Sequence, residues 1–411
     1  MFKFRSQKLQ NTEQVVDKKA LIFGLMSVFL CGLGFSIIAP VVPYLVHPYA
    51  HNDANQAIIV TVLTSVYAAC VFLAAPGLGA LSDRYGRRPI LLICLIGSSV
   101  GYIVFGIGGA LWVLFVGRIV EGVTGGSIST IFAYFADIIP NEQRTKYFGW
   151  VSAVTGVGIA VGPALGGLLA KFGYSVPMYA AAFITLFNVV FGFFYMPESL
   201  NKNNRLKKLT LVRLNPFIQL LNILSIKHIK WLLISVFLLS IPNGSLQAVF
   251  SQFTIDTFKW EPAIIGLMFS ILGIQDILSQ GFLMPKLLLK YNDVQIGMIG
   301  MVSEIIGYSF MAVSALFSLY PLFIAGIFLF GFGDSIIGPS INGMLSKSVQ
   351  ASEQGRIQGG SQSIQALARI IGPIIGGQIY VSLGHAAPAF MGIILIAAAV
   401  FVLNRYKHVV I

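Results

Sequence analysis

Charge is what this chain has least of. Only 10% of its 411 residues are Asp, Glu, Lys or Arg, against about 25% in soluble domains, while 56% are hydrophobic and the mean hydropathy is +0.83. A soluble globular fold is excluded on that ground. Acids are scarcer than bases, 15 against 27, which gives a formal charge of +12 and a sequence pI of about 9.6. The bases sit in short turns and tails between apolar runs rather than on one face, so they read as topology signals and not as a nucleic-acid surface. Cysteine is rare as well: Cys31, Cys70 and Cys94 all lie inside apolar runs with no CxxC spacing, which argues against a disulfide framework or a cysteine-based metal site. The histidines are scattered without an HExxH, and no GxxxxGK[ST] loop occurs, so zinc hydrolysis and ATP-driven transport lose their usual support. No nucleophile, base and orienting group assemble into an enzyme site, and no metal or cofactor is expected. The first 19 residues are polar, and the apolar run that follows is long and lacks a small-residue cleavage site, so it reads as a retained span rather than a signal peptide.

Long apolar sequence is what the chain has in abundance. Crossing the hydrocarbon core takes about 20 apolar residues. Twelve segments meet that length, near 20–46, 57–80, 89–108, 110–137, 148–171, 177–196, 229–253, 262–285, 295–317, 319–346, 355–382 and 386–405. In lipid the backbone must satisfy its own hydrogen bonds, and runs this long and continuous are helices rather than barrel strands. The expected fold is therefore an all-α integral membrane protein with 12 transmembrane helices in two six-helix pseudo-symmetric halves. Its divisions are a tail (1–19), a first half (20–196), a polar linker (197–228), a second half (229–405) and a tail (406–411). The halves echo one another: GPALGG at 162–167 recurs as GPIIGG at 372–377, and Glu142-Gln143 recurs as Glu353-Gln354. A repeat of that kind places a substrate site between the halves near the bilayer midplane. Outside the spans, every Lys and Arg except Lys171 and Lys259 falls on one set of connections, so both termini are expected in the cytoplasm.

Five groups of residues stand out. The turn after the second segment runs Gly79-Ala80-Leu81-Ser82-Asp83-Arg84-Tyr85-Gly86-Arg87-Arg88-Pro89, which could be a plain positive turn with Asp83 capping the next helix and Pro89 starting it. Arg118 and Glu121, three apart, share a helix face and could simply neutralise each other. A charge at mid-membrane costs at least ~2.5–3.5 kcal/mol, which favours a role in a cavity. The run Gly156 to Gly167 places small residues at spacings of four around Pro163, as ordinary packing grooves and kinks do. In the second half Asp276, Glu304, Asp334 and Arg369 fall at costly depths. Asp334 and Arg369 could be an ion pair, and Glu304 could be a proton or cation site or a partner of Arg369. Aromatics and amides on cavity-facing spans, Phe35, Phe132, Asn243, Gln247, Phe250, Phe253 and Gln275, could hold a flat, partly cationic or zwitterionic ligand.

Over residues 20–405 these stretches resemble the major facilitator superfamily, and within it the 12-helix drug:proton antiporters typified by tetracycline and multidrug efflux proteins. The first turn resembles the signature GxLaDrxGrrp. That implies a cytoplasmic gate of Gly79, Asp83, Arg84, Gly86, Arg87 and Arg88 with Asp137 as the partner acid. The Arg118 segment resembles lxxRxxqG, with Glu121 where a polar residue is usual. Gly158, Gly162, Pro163, Gly166 and Gly167 resemble the antiporter motif gxxxGPxxGG, and Gly32 to Pro40 resembles the span-one motif. Glu304 matches an acid that tetracycline exporters carry in span nine, whereas Cys31 and Gly101 stand where those exporters carry acids. The resemblance implies a multi-pass protein of the cytoplasmic membrane, functional as a monomer. It would export a drug-like small molecule in exchange for protons by alternating access, driven by the proton gradient without a cofactor. Proton coupling would fall to Glu121, Arg118, Glu304, Asp334, Arg369 and Asp276. The competing expectations are the same exchange acting on a sugar, amino acid, peptide or lipid-linked glycan, and a membrane sensor that keeps the fold without moving solute.

Overall fold

The computed structural model describes residues 18–125, 127–139, 144–201, 205–206, 215–218, 220, 229–348 and 354–410. Most of the N-terminal tail and of the linker, with Glu142-Gln143, Glu353 and Ile411, lie outside these. Among the described residues the secondary structure is helical and no strand occurs. The first half comprises α1 (Lys18–Ser36), α2 (Asp53–Tyr85), α3 (Arg87–Ile107), α4 (Leu111–Thr124), α5 (Ser127–Ile138), α6 (Arg144–Leu169) and α7 (Val176–Tyr195). The second comprises α8 (Lys230–Phe258), α9 (Pro262–Leu278), α10 (Asp293–Phe317), α11 (Tyr320–Lys347), α12 (Gln354–Leu383) and α13 (Ala387–Val410).

Local chemistry explains where these helices begin. Asn52 caps α2 by accepting the Asn55 N–H at 2.7 Å, and Asn292 and Gln295 form a reciprocal capping box on α10. Prolines open α7, α9 and α11, where a missing N–H costs nothing. Prolines also sit inside α2, α6, α8, α11 and α12, positions that membrane helices tolerate when neighbours satisfy the freed carbonyls. Past α9 the chain continues through a π-turn, Ser279–Leu283, into Met284–Leu288. Pro285 there cannot donate to the preceding turn.

Among the described residues ten helices are long and apolar enough to cross a bilayer. The other two expected segments are interrupted. Residues 20–46 form a helix only to Ser36, then a turn through Pro40 and the short helix Val42–Val46. Residues 110–137 divide into α4 and α5 at Gly125, where paired glycines weaken the helix.

Each half packs around its own core, with α1 against α6 and α3 against α4 in the first, and α8 against α12 and α10 against α11 in the second. The halves meet through α6 on α9 and α2 on α12. Among the described residues, the hydrogen bonds between them lie towards the end opposite the basic turns. There the Tyr44 hydroxyl donates to the Trp260 carbonyl, Ser65 donates to the Ile370 carbonyl at 2.9 Å, and the Ala164 N–H donates to Ser270 at 3.1 Å. Towards the basic end, a side chain added at Gly77, Gly79, Gly149, Gly156 or Gly281 would meet no atom within 4 Å. The two halves are joined at one end and open at the end that carries Arg84, Arg87 and Arg88.

Candidate substrate cavity and gates

Below the closed seam lies a cavity of about 170 Å³ walled by both halves. Phe35, Tyr67 and Arg118 come from the first half, and Gln247, Ser251 and Phe269 from the second. Phe35 and Tyr67 face each other with ring centroids 5.9 Å apart. Arg118 is held from three directions: its guanidinium lies 4.6 Å from the Phe105 ring centroid and 5.6 Å from that of Tyr67, and it donates to Glu121 Oε2 at 2.8 Å. Both members of the pair are buried. Arg118 Nε and Glu121 Oε1 have no hydrogen-bond partner among the described residues, and the Tyr102 hydroxyl is the neighbouring polar group on α3. Gly101 explains how this acid fits. A side chain on Gly101 would meet the Glu121 backbone N at 2.8 Å and its Cβ at 3.0 Å, so the glycine leaves the space that Glu121 fills.

The glycine run of α6 presents two faces. Gly158, Gly162 and Gly166, spaced by four, lie against α1 at Phe29, Leu33, Ser36 and Ile37. Gly167 and Pro163 point across the seam instead: Gly167 touches Pro262 and Ala263, and the Pro163 carbonyl touches Gly266 of α9. The repeated sequence does the same work in the second half. Gly372 and Gly376 lie against α8 at Ile241 and Ser245, while Gly377 crosses to Thr61 of α2. In both copies the first and fifth positions bind a helix of their own half, and the sixth meets the other half.

At the open end Arg87 pairs with Asp83, lies 3.1 Å from Asp137 Oδ2 through Nε, and donates to the Ser82 hydroxyl at 2.7 Å. Gly86 makes this turn possible. Its φ of +110° is strained for any L side chain, and it lets α2 pass into α3 through a single residue. Arg88 donates to the Phe193 carbonyl at 2.5 Å, and Arg84 lies over the Tyr85 ring. The alternative in which Asp83 caps α3 is not what forms: Gly86 is the cap residue, and the Arg87 N–H is taken by Glu198.

The profile described as the Major Facilitator Superfamily matches residues 24–359 and 232–409, together most of the chain. This chain belongs to the major facilitator superfamily. It is 34% identical over 365 residues to the class C tetracycline resistance protein of Escherichia coli, covering 89% of this chain and 90% of that one. It is 27% identical over 382 residues to Multidrug resistance protein 2 of Bacillus subtilis (strain 168), covering 92% and 93%. The crystal structure of the human organic anion transporter MFSD10 superposes with a TM-score of 0.72 at 21% identity, covering 94% of this chain and 99% of that one, which establishes a shared fold. This facilitator is accordingly a multi-pass membrane protein with a small-molecule substrate.

Other expected residues divide between the facilitator's cavity and its packing. Phe35 and Gln247 line the cavity. Phe250 and Phe253 do not: both are buried in the second half's core against Phe269 and Phe323. Phe132 packs on the first half's core around Phe23 and Tyr134. Gln275 donates to the Phe328 carbonyl at 2.7 Å in a separate apolar groove between α9 and α11. An aromatic on a cavity-lining helix still has most of its circumference turned to other helices, so span membership alone does not say which side chains reach the cavity. Sequence reasoning missed Tyr67 and Phe269, and the i, i+3 relation of Tyr67 to Cys70 and of Phe269 to Leu272 carries no signal that would have found them.

The acids of the second half stand apart from the cations offered to them. Asp334 accepts from Asn243 Nδ2 at 2.7 Å and is exposed at depth. Arg369 is exposed too, and among the described residues no carboxylate lies within 4 Å of it, so neither the Asp334–Arg369 nor the Glu304–Arg369 pair forms. Glu304 is buried between α10 and α11, its stem against Gly333 beside Asp334. Asp276 accepts from Gln280 one turn along its own helix at 2.8 Å.

Proposed function

We propose that this facilitator exports planar, drug-like small molecules from the cytoplasm in exchange for protons, with its basic end and both termini on the cytoplasmic side. The observation that carries this reading is the buried Arg118–Glu121 pair, whose arginine lines a cavity shared by both halves. Protonating this carboxylate leaves its buried partner Arg118 without a counter-charge, so proton uptake raises the cost of the present state and favours a rearrangement around the pair. Its protonation releases Arg118 from the 2.8 Å bond and changes the charge presented to the cavity. The aromatic wall of Phe35, Tyr67 and Phe269 suits flat rings, and Gln247 and Ser251 supply the few polar contacts that orient them. The relatives named for tetracycline and multidrug resistance support a drug as cargo over a sugar or peptide.

The cycle needs two states. In the one described, the seam is closed and the cytoplasmic end is open, so substrate enters from inside. A proton taken up from outside and a substrate bound from inside must favour opposite states for exchange to be obligatory. No covalent step and no cofactor take part; the proton gradient supplies the work. Because one chain forms the whole cavity, the monomer is the transporting unit.

The test uses energised inside-out vesicles. Adding tetracycline, a quinolone or a planar dye should release a stored pH gradient with the native protein, and Glu121→Gln should abolish the response. A gradient that survives every compound with the native protein would overturn the reading of the cargo. A response that persists in Glu121→Gln would move the coupling to Glu304 or Asp334.

A further inference from the structure

The chain leaving α7 runs directly over the gate. Met196 and Leu200 are buried in the first half and pin a short extended segment between them. From it, Glu198 Oε1 accepts the Arg87 N–H at 2.8 Å and the Leu200 N–H at 3.1 Å. The Arg87 N–H is one of the orphan donors that open a helix, and a carboxylate there also meets the positive end of the α3 dipole. Gly86, the cap residue, has no side chain to do this, so the cap comes from 111 residues away. Ser199 donates to Asp137 Oδ2 at 3.0 Å, the same oxygen that Arg87 approaches. The Leu206 N–H donates to the Asp83 carbonyl at 2.9 Å, and Arg205 stands 3.7 Å from Glu198 Oε2. Three charged members of the gate are therefore touched by this segment: Arg87 by Glu198, Asp137 by Ser199 and Asp83, through its carbonyl, by Leu206.

We propose that residues 198–201 together with Arg205 and Leu206, where the connection between the halves begins, act as a strap on the gate, with Glu198 the positioning residue that aims Arg87. The gate motif does not fix Arg87 alone. Arg87 is the first residue of α3, and its guanidinium reaches Asp83 and Asp137 only if the first turn of that helix keeps its place. Glu198 supplies the part-buried, charge-assisted hydrogen bond that holds the turn. The strap also gives the linker a mechanical meaning. It leads on to α8, the first helix of the second half, so a rocking movement of that half pulls on the residues that orient the gate arginine.

This inference rests on reading Arg87, Asp83 and Asp137 as a gate, and its test needs neither substrate nor proton gradient, so failure of the export reading would leave it standing. Spin labels placed at Gly149 and Leu289, exposed positions in the two halves at the open end, report its opening by distance distribution in lipid nanodiscs. Glu198→Gln keeps the shape and removes the charge. It should change the ratio of open to closed populations by about fivefold, with Glu198→Asp intermediate, because a charge-assisted hydrogen bond is replaced by a neutral one. On an Arg87→Ala background it should add less than about twofold, since both act through the same guanidinium. Melting of the purified variants separates positioning from folding. A ratio within twofold of the native protein, with or without a lowered Tm, would overturn the proposal. So would shifts from Glu198→Gln and Arg87→Ala that multiply in the double variant.

Discussion

A single methyl at Gly167 should open the closed seam of this transporter. A Cβ there would collide with the Pro262 carbonyl oxygen and lie 2.9 Å from Ala263 Cα. These are backbone atoms in the first turn of α9, which cannot yield by changing rotamer. Over-packing of this kind costs about 1–3 kcal/mol. The collision exists only while the halves touch, so the whole penalty falls on the seam-closed state and shifts the two-state ratio by about 5- to 150-fold. Gly166 is the control supplied by the molecule itself. Its added methyl would strike the Ile37 carbonyl of α1 in the same half, a contact that travels with that half and is present in both states. Gly166→Ala should therefore lower the Tm and leave the ratio unchanged. Distances between spin labels at Phe172 and Leu383, exposed on the two halves at the closed end, measure the ratio directly. Equal shifts in the two variants, or a ratio within twofold of the native value in Gly167→Ala, would refute the division of the glycine run into an internal and a crossing face.

Three further outcomes follow from the same geometry. Glu121→Gln leaves the buried Arg118 without its counter-charge at a cost of about 3–5 kcal/mol, visible as a lower Tm, whereas the charge-neutral pair Arg118→Gln/Glu121→Gln should recover much of that Tm and still not export. Phe253→Ala removes a core ring and should destabilise by about 3–5 kcal/mol with KM unchanged, as thermal melting beside initial-rate transport would show. Tyr67→Ala should do the reverse, raising KM for a planar dye about three- to tenfold through loss of a stacking face.

The seam shows how far a linear pattern reaches. GPALGG and GPIIGG are visibly a repeat, and their spacing of four marks a packing face. Nothing in the letters says that Gly166 meets its own half while Gly167 meets the other, because that depends on which helix arrives on each side. Arg118 and Glu121 could be paired from their separation alone, and the structure forms that pair. Glu304 and Arg369 lie on different helices, and sequence offered them as partners that three-dimensional placement keeps apart. Glu198 was invisible as a gate residue because its partner is 111 positions earlier.

The sequence by itself determined the helical, membrane-spanning class and the short turn between α2 and α3, since lipid burial and short-range spacing act on neighbours along the chain. Only the tertiary structure decided which end is closed, which aromatic rings reach the cavity and how the strap holds the gate. Those outcomes depend on the packing of helices far apart in sequence, where a rotation of one helix exchanges a cavity-facing side chain for a buried one.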